Sequence, residues 1–106
     1  MVAVRIVEFI GRGPGTRHSG AKVRAALEPE AAHGGNCALD FAEVDTVTHS
    51  FADEVIGVLV RARGPDLLDR LTFLNCSPVV RDTLQFVADY SAHFWTTGTF
   101  PTPTST

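Results

Sequence analysis

The sequence has few cysteines and histidines and no excess of basic residues. Two cysteines and four histidines among 106 residues are too few for a disulfide scaffold and show no spacing typical of a zinc site. Nine basic residues against twelve acidic ones give a net charge of −3. Because nucleic-acid-binding proteins usually carry a basic excess, this balance argues against a nucleic-acid partner.

Long apolar runs are also absent from the sequence. No segment approaches the roughly 20 apolar residues that are needed to cross a bilayer. Residues 1–12 lack the basic start and the apolar stretch of a signal peptide. We therefore expect a cytoplasmic protein with no membrane partner, no metal site and no cofactor.

The composition is that of one globular domain. The chain is 44% hydrophobic and 20% charged, and its mean hydropathy is +0.10, which argues against general disorder. Residues 96–106 are rich in threonine and proline. We expect a domain over residues 1–95 and a flexible tail over residues 96–106.

Strand and helix patterns alternate along the chain in the order β-α-β-α-β-α. Strands are predicted at Val4–Ile10, as the end of an apolar run from Val2, at Ala38–Phe41 and at Leu71–Asn75. Alternation at this spacing indicates right-handed crossovers and a largely parallel sheet. The predicted core contains Leu39, Phe41, Val55, Leu59, Phe73 and Leu84.

Helix boundaries are marked by capping residues and prolines. The first helix is predicted to begin after Thr16 or Ser19 and to end before Pro29. Ser50 with Asp53 reads as a capping box for the second helix, which ends at Gly64-Pro65. Ser77 caps the third helix, with Pro78 in its first turn.

The two cysteines are predicted to be free, buried thiols. Cys37 begins the second strand and Cys76 ends the third. Parallel strands place them at opposite ends of the sheet, too far apart for a disulfide.

Ligand sites in parallel sheets lie beyond the carboxyl ends of the strands. Three predicted loops meet at that edge, over residues 11–18, 42–50 and 75–77. Their polar side chains are Arg12, Arg17, His18, Asp45, Thr46, Thr48, His49, Ser50 and Asn75.

The first of these loops is rich in glycine but matches no nucleotide-binding pattern. Thr16 replaces the last glycine of the dinucleotide motif, and the lysine of the Walker motif is absent. The pattern favours a tight turn. The alternative is an anion-binding loop formed by Arg12, Gly13, Gly15, Thr16 and Arg17.

No catalytic residues are predicted. His49, Ser50 and Asp53 lie close in sequence, but adjacency does not produce triad geometry, because the base must reach the hydroxyl and be oriented by its own partner.

The third helix carries a second apolar stripe that a single domain would expose. This stripe contains Val79, Phe86 and Tyr90, and Trp95 follows it. Two interpretations remain open: the end of the chain covers the stripe, or the stripe is an interface with a partner or with a second copy in a homodimer.

Several segments resemble the STAS domains, the fold of the anti-sigma-factor antagonists. Residues 39–44 with Thr48-His49-Ser50 look like the central strand and phosphorylation loop, and residues 71–81 are similar to the following strand and helix. Residues 48–54, and Arg17, are closer still to STAS-like domains of unknown function. The resemblance spans residues 2–92 and implies a small α/β sandwich.

The loop departs from the STAS antagonists at three positions. Thr48 stands where they have aspartate, His49 where they have the phosphorylated serine, and Phe51 where they have glycine. Ser50 follows one position later, and we interpret it first as a helix cap and second as a phosphorylation site.

The resemblance implies a non-enzymatic regulatory module that binds a protein such as a kinase-type ATPase. The expected contact region contains Thr48, His49, Ser50, Asp53, Glu54 and Gly57. The alternative function is a small-ligand or nucleotide sensor that uses the glycine-rich loop.

Overall fold

The structure, a computed structural model, describes residues 2–99. Three parallel strands form a sheet in the order β1-β2-β3: β1 is Val2–Arg5, β2 is Cys37–Asp40 and β3 is Leu71–Leu74. Val4 pairs with Leu39, which pairs with Phe73. The predicted α/β class and parallel sheet are therefore confirmed.

Residues 2–99 contain five α-helices. The helix α1 is a single turn at Val7–Ile10, α2 is Arg17–Ala32, α3 is His49–Ala52, α4 is Val58–Arg63 and α5 is Pro78–Thr97. A π-helical segment, Asp53–Gly57, joins α3 to α4 in one continuous helix over residues 49–63. A 3-10 helix at Pro65–Arg70 leads into β3.

The helices cover one face of the sheet. Both crossovers step in the same direction along the sheet, so right-handed connections place their helices on the same side. Val4 is accordingly buried while its neighbours Ala3 and Arg5 are exposed, and Leu71 is buried while Thr72 is exposed. The architecture is a two-layer α/β sandwich.

The core lies between the sheet and the helix over residues 49–63. Leu39, Phe41, Val55, Leu59 and Leu84 are buried as predicted, whereas Phe73 is half-buried. The buried stripe of α5, with Leu84 and Val87, packs on α4 and the π segment. The helix α5 therefore extends the helical layer.

The first strand is shorter than predicted. β-branched residues continue beyond Arg5, but the amides of Phe9 and Ile10 donate to the carbonyl of Ile6 at 2.9 and 3.2 Å. The register pairs Arg5 with Asp40, the last residue of β2. Residues 7–10 therefore have no neighbouring strand to pair with, and they form the turn α1.

Pro29 does not end α2, which continues to Ala32. Val23, Leu27 and Ala31 are buried at four-residue spacing, so the apolar face of the helix continues past the proline. Packing of this face compensates for the hydrogen bond that Pro29 cannot donate.

Both cysteines are free, as predicted. Cys37 is buried, but Cys76 is only half-buried. The helix α5 includes residues 96 and 97, the first two of the predicted tail. Gly98 is the C-cap of this helix and residue 99 follows it, whereas residues 100–106 of the predicted flexible tail lie outside the described part of the chain.

Candidate functional site

Two of the three predicted edge loops are joined through Thr48. Its amide donates to the carbonyl of Pro14 at 2.9 Å, and its hydroxyl donates to the carbonyl of Gly15 at 3.2 Å. Asn75, which follows β3, donates to Asp40 Oδ1 at 2.9 Å. The carboxyl edge of the sheet is thus held together by hydrogen bonds within the chain.

Thr48, and not Ser50, caps the helix that begins at His49. Thr48 has an extended backbone, and its Oγ1 accepts the amide of Phe51 at 3.0 Å. The predicted capping box of Ser50 with Asp53 is therefore wrong. The contacts with Pro14 and Gly15 hold Thr48 in place as the cap, two residues before Ser50. Ser50 lies half-buried in the first turn of the helix.

The glycine-rich loop packs tightly against the start of this helix. Gly15 has a φ of +83°, and a Cβ there would lie 2.6 Å from Cδ1 of Phe51. Thr16 and Ser19 form the capping box of α2, in which each side chain accepts the other residue's amide. These contacts support the interpretation of the loop as a structural turn.

Arg17, an anion ligand in the alternative interpretation of the loop, pairs with carboxylates of the same chain. Its Nη1 lies 3.1 Å from Asp53 Oδ2 and 2.8 Å from Glu54 Oε1. Arg24 holds the other oxygen of Glu54. Arg12 and Gly13 are exposed.

Asp53 is the centre of a half-buried polar network. Its Oδ1 accepts from Arg61 at 2.7 Å and from the hydroxyl of Tyr90 at 2.6 Å. A second bond from Arg61 reaches Oδ2 at 3.1 Å. With Arg17, these donors connect α2, α4 and α5 through one carboxylate of the π segment.

The electrostatics of the network follow from this geometry. Burial by itself would raise the pKa of Asp53, but hydrogen bonds from Arg61, Tyr90 and Arg17 outweigh it and hold that pKa at about 2. Burial, with the hydrogen bond to Asp53, raises the pKa of Tyr90 to about 12. The bond from Arg17 lowers the pKa of Glu54.

Gly57, which is predicted from the sequence to lie in the contact region, is buried beneath this network. A Cβ at this position would lie 2.5 Å from Asp53 Oδ1 and 2.9 Å from Arg61 Nη1. Arg61 also donates to the fully buried Ser91 at 3.0 Å. The absence of a side chain at Gly57 leaves room for the ion pair.

The predicted contact region and the second apolar stripe meet in one surface. The Phe86 ring lies edge-on to His49, with ring centroids 5.2 Å apart, and edge-on to Tyr90 at 5.5 Å. Val79 lies two turns before Phe86 on the same side of α5. We call His49, Val79, Phe86 and Tyr90 the docking surface.

Trp95 does not belong to this surface. It follows Phe86 by nine residues, about half a turn around the helix axis. A Cβ on Gly64 would lie 3.1 Å from Cε2 of Trp95, so the indole packs over the end of α4. Trp95 is grouped with the stripe in the sequence-based prediction because the two are close in sequence. The helical spacing of nine residues from Phe86 would have separated them.

The described residues contain no cluster of three or more His, Cys, Asp or Glu side chains that could hold a metal ion. Within residues 2–99, no helix has the length and apolar character to cross a membrane. The buried side-chain nitrogens and oxygens in this part of the chain all have hydrogen-bond partners.

These features define a small two-layer α/β domain with a parallel sheet. A family model described as "STAS-like domain of unknown function (DUF4325)" matches residues 19–81, which is more than half of the chain. The chain belongs to this family, and the resemblance stated from the sequence is confirmed. No curated protein and no solved structure matches the chain.

Proposed function

We propose that this STAS-like domain is a non-enzymatic regulatory module that binds a partner protein, of the kinase-type ATPase class or another regulator, through the docking surface. The observation that carries the proposal is the contact of His49 with Phe86. It brings the loop region that the STAS resemblance implicates beside exposed apolar side chains of α5.

Exposure supports this location. Val79 is 55% and Phe86 is 57% exposed, which leaves two large apolar side chains in water on the same stripe. Aromatic side chains in such positions are frequent hot spots of protein interfaces. The half-buried Tyr90 fixes one edge of the Phe86 ring, so the surface is organised before a partner binds.

The interior charges support a binding role over a catalytic one. Asp53 is paired with Arg61 and Arg17, and a carboxylate whose pKa is held at about 2 is a poor general base near neutral pH. These contacts stabilise the helical layer behind the docking surface. Of the residues first expected to meet a partner, only His49 is exposed, whereas Gly57 is buried and the others are half-buried.

The alternative function, ligand sensing by the glycine-rich loop, has weaker support. Arg17 is committed to Asp53 and Glu54, and the capping box of Thr16 and Ser19 uses the amide of Ser19. The loop therefore offers an anion fewer donors than the sequence suggested.

The test is affinity capture with the tagged full chain, followed by calorimetry with the purified partner. Phe86→Ala is expected to weaken binding at least about tenfold, as for a hot-spot residue. Phe9→Ala is the matched control. Phe9 is also an exposed phenylalanine, and it lies in α1, outside the docking surface. Equal binding by both variants would contradict the proposed location.

Light scattering on the free chain distinguishes a second copy from a foreign partner. A homodimer that dissociates in Phe86→Ala but persists in Trp95→Ala would show that the docking surface joins two copies. If the chain is a monomer in every variant, the partner of the docking surface is a different protein.

A further inference from the structure

A cavity lies between β3 and α5, on the side of α5 away from the docking surface. Its volume is about 440 Å³, within the roughly 300–1,000 Å³ that small-molecule sites occupy. Its apolar walls are Ile56, Leu68, Phe73, Leu84 and Ala88. Three of these side chains are buried and two are half-buried, so the cavity has an apolar floor.

Within residues 2–99, β3 is an edge strand of the sheet, and α5 packs mainly on the other helices. In a parallel strand, the backbone N–H and C=O groups of successive residues point alternately toward one neighbouring strand and toward the other. The carbonyl of Leu74 accepts the amide of Phe41, the residue that follows β2, at 2.8 Å. The backbone groups of Phe73 therefore point to the open edge, beside the cavity.

The rim of the cavity is polar and carries one positive charge. Arg81 is exposed and, within residues 2–99, no carboxylate forms an ion pair with it. Four arginines of the other α-helices are ion-paired: Arg17, Arg24, Arg61 and Arg63. Arg70, at the end of the 3-10 helix, donates to the carbonyl of Ala31. An unpaired guanidinium at the mouth of an apolar cavity is complementary to an anion that carries an apolar body.

The remaining rim groups do not cancel this charge. Asn75 donates to Asp40, whose Oδ1 also accepts the amide of Ala42 at 2.9 Å. Gln85 donates to Asp89 at 2.8 Å. Asp40 and Asp89 keep their negative charges, but within residues 2–99 neither of them forms an ion pair with Arg81.

We propose that the cavity between β3 and α5 binds a small amphipathic carboxylate, such as a medium-chain fatty acid, with its carboxylate on Arg81 and its apolar body against Phe73 and Leu84. This site is separate from the docking surface, and neither proposal depends on the other.

The probe is sodium octanoate, added to the full-length chain labelled with ¹⁵N and followed by NMR. Saturable shifts are expected at the amides of the cavity residues Phe73, Cys76, Leu84 and Ala88. Octanamide keeps the apolar body and lacks the charge, and it is expected to bind at least about tenfold more weakly. Butyrate keeps the charge and lacks most of the apolar body, and it is also expected to bind more weakly.

Two variants separate the charge of Arg81 from the overall charge of the protein. Arg81→Gln is expected to weaken octanoate binding about tenfold or more. Lys22→Gln removes an equal charge from an exposed position of α2 and is expected to leave the affinity unchanged. Both positions are exposed, so both variants should fold.

Cys76 provides a second measurement that needs no substitution. It lines the cavity and is half-buried, whereas Cys37 is buried in the core. Octanoate is expected to slow the alkylation of Cys76 by iodoacetamide, and octanamide at the same concentration is expected to have little effect.

Three results would overturn the proposal. Equal binding of octanoate and octanamide would show simple adsorption to apolar surface. Shifts confined to Val79 and Phe86 would place the fatty acid on the docking surface. Shifts of the cavity amides on dilution, without any response to octanoate, would show that a second copy of the chain fills the cavity.

Discussion

The hydroxyl of Tyr90 donates to Asp53 Oδ1 at 2.6 Å, and it shares that carboxylate with Arg61 and Arg17. One side chain of the π segment thereby connects α2, α4 and α5. A π segment adds a residue to a helical turn and is often found where a helix meets a special requirement. Here the carboxylate at its start is the common acceptor of three helices.

Removal of the Tyr90 hydroxyl tests this connection. Tyr90→Phe keeps the ring contact with Phe86 but removes a hydrogen bond to a charged acceptor. We expect a loss of about 1–3 kcal/mol in the free energy of unfolding, measured with urea. Gln85→Ala is the control on the same helix, because it removes the exposed bond to Asp89 and should change stability by less than about 0.5 kcal/mol. Equal effects would contradict the special role of Tyr90.

The low pKa of Asp53 predicts a loss of stability in acid. The unfolded chain protonates this carboxyl near its ordinary pKa of about 4, while the folded chain keeps it charged down to about 2. The stabilisation is therefore complete above about pH 5 and is lost as the pH falls through 4 toward 2. Its size is about 2 kcal/mol, and the lowered pKa of Glu54 adds in the same direction.

Two measurements check this pH dependence. Denaturation of Asp53→Asn is expected to show lower stability at neutral pH and a smaller loss between about pH 4 and pH 2. NMR titration of the Asp53 carboxyl carbon in the unmodified chain gives the pKa directly. A midpoint near the ordinary value of about 4 would contradict the prediction.

Gly57→Ala is expected to destabilise the protein, although alanine is the better helix former. The new Cβ would lie 2.5 Å from Asp53 Oδ1, so the pair of Asp53 with Arg61 must move. We expect a loss of about 1–3 kcal/mol by thermal or urea denaturation. Gly13→Ala is the matched control, because its Cβ would meet only Ile10 O at 3.7 Å. A gain of stability in both variants would show that the network tolerates the methyl group.

The capping residues give a reciprocal pair of variants. Thr48→Ala removes the acceptor of the Phe51 amide and the hydroxyl bond to Gly15, and it should cost about 0.5–2 kcal/mol. Ser50→Ala is expected to change stability by less than about 0.5 kcal/mol, because Ser50 is not the cap. Circular dichroism during urea denaturation measures the free energy of unfolding of both variants. A larger loss in Ser50→Ala than in Thr48→Ala would show that Ser50 is the capping residue.

Several features could be predicted from local sequence because local chemistry decides them. Thr16 and Ser77 cap helices where they were expected to, since a side-chain oxygen needs only the next amides in the chain. The order of strands and helices follows from hydrophobic periodicity. Parallel pairing then follows from the handedness of crossovers, which is a property of L-amino acids in general.

Other features depended on which neighbours the fold supplies. Residues 7–10 have strand propensity but meet no partner beyond Asp40, and Pro29 remains in a helix because the buried face continues to Ala31. Helix caps show the same dependence. Ser50 satisfies the sequence pattern of a cap, but contacts from the glycine-rich loop, more than 30 residues earlier, select Thr48.

By itself, the sequence determined the α/β class, the parallel sheet, the free cysteines and the family, because each depends on periodicity or on short motifs. Only the tertiary structure decided how the charged and aromatic residues are used. It paired Arg17 with Asp53 and Glu54, placed Gly57 under the ion pair, and brought His49 against Phe86. Long side chains on different helices find partners according to helix packing, and that packing is a property of the whole chain.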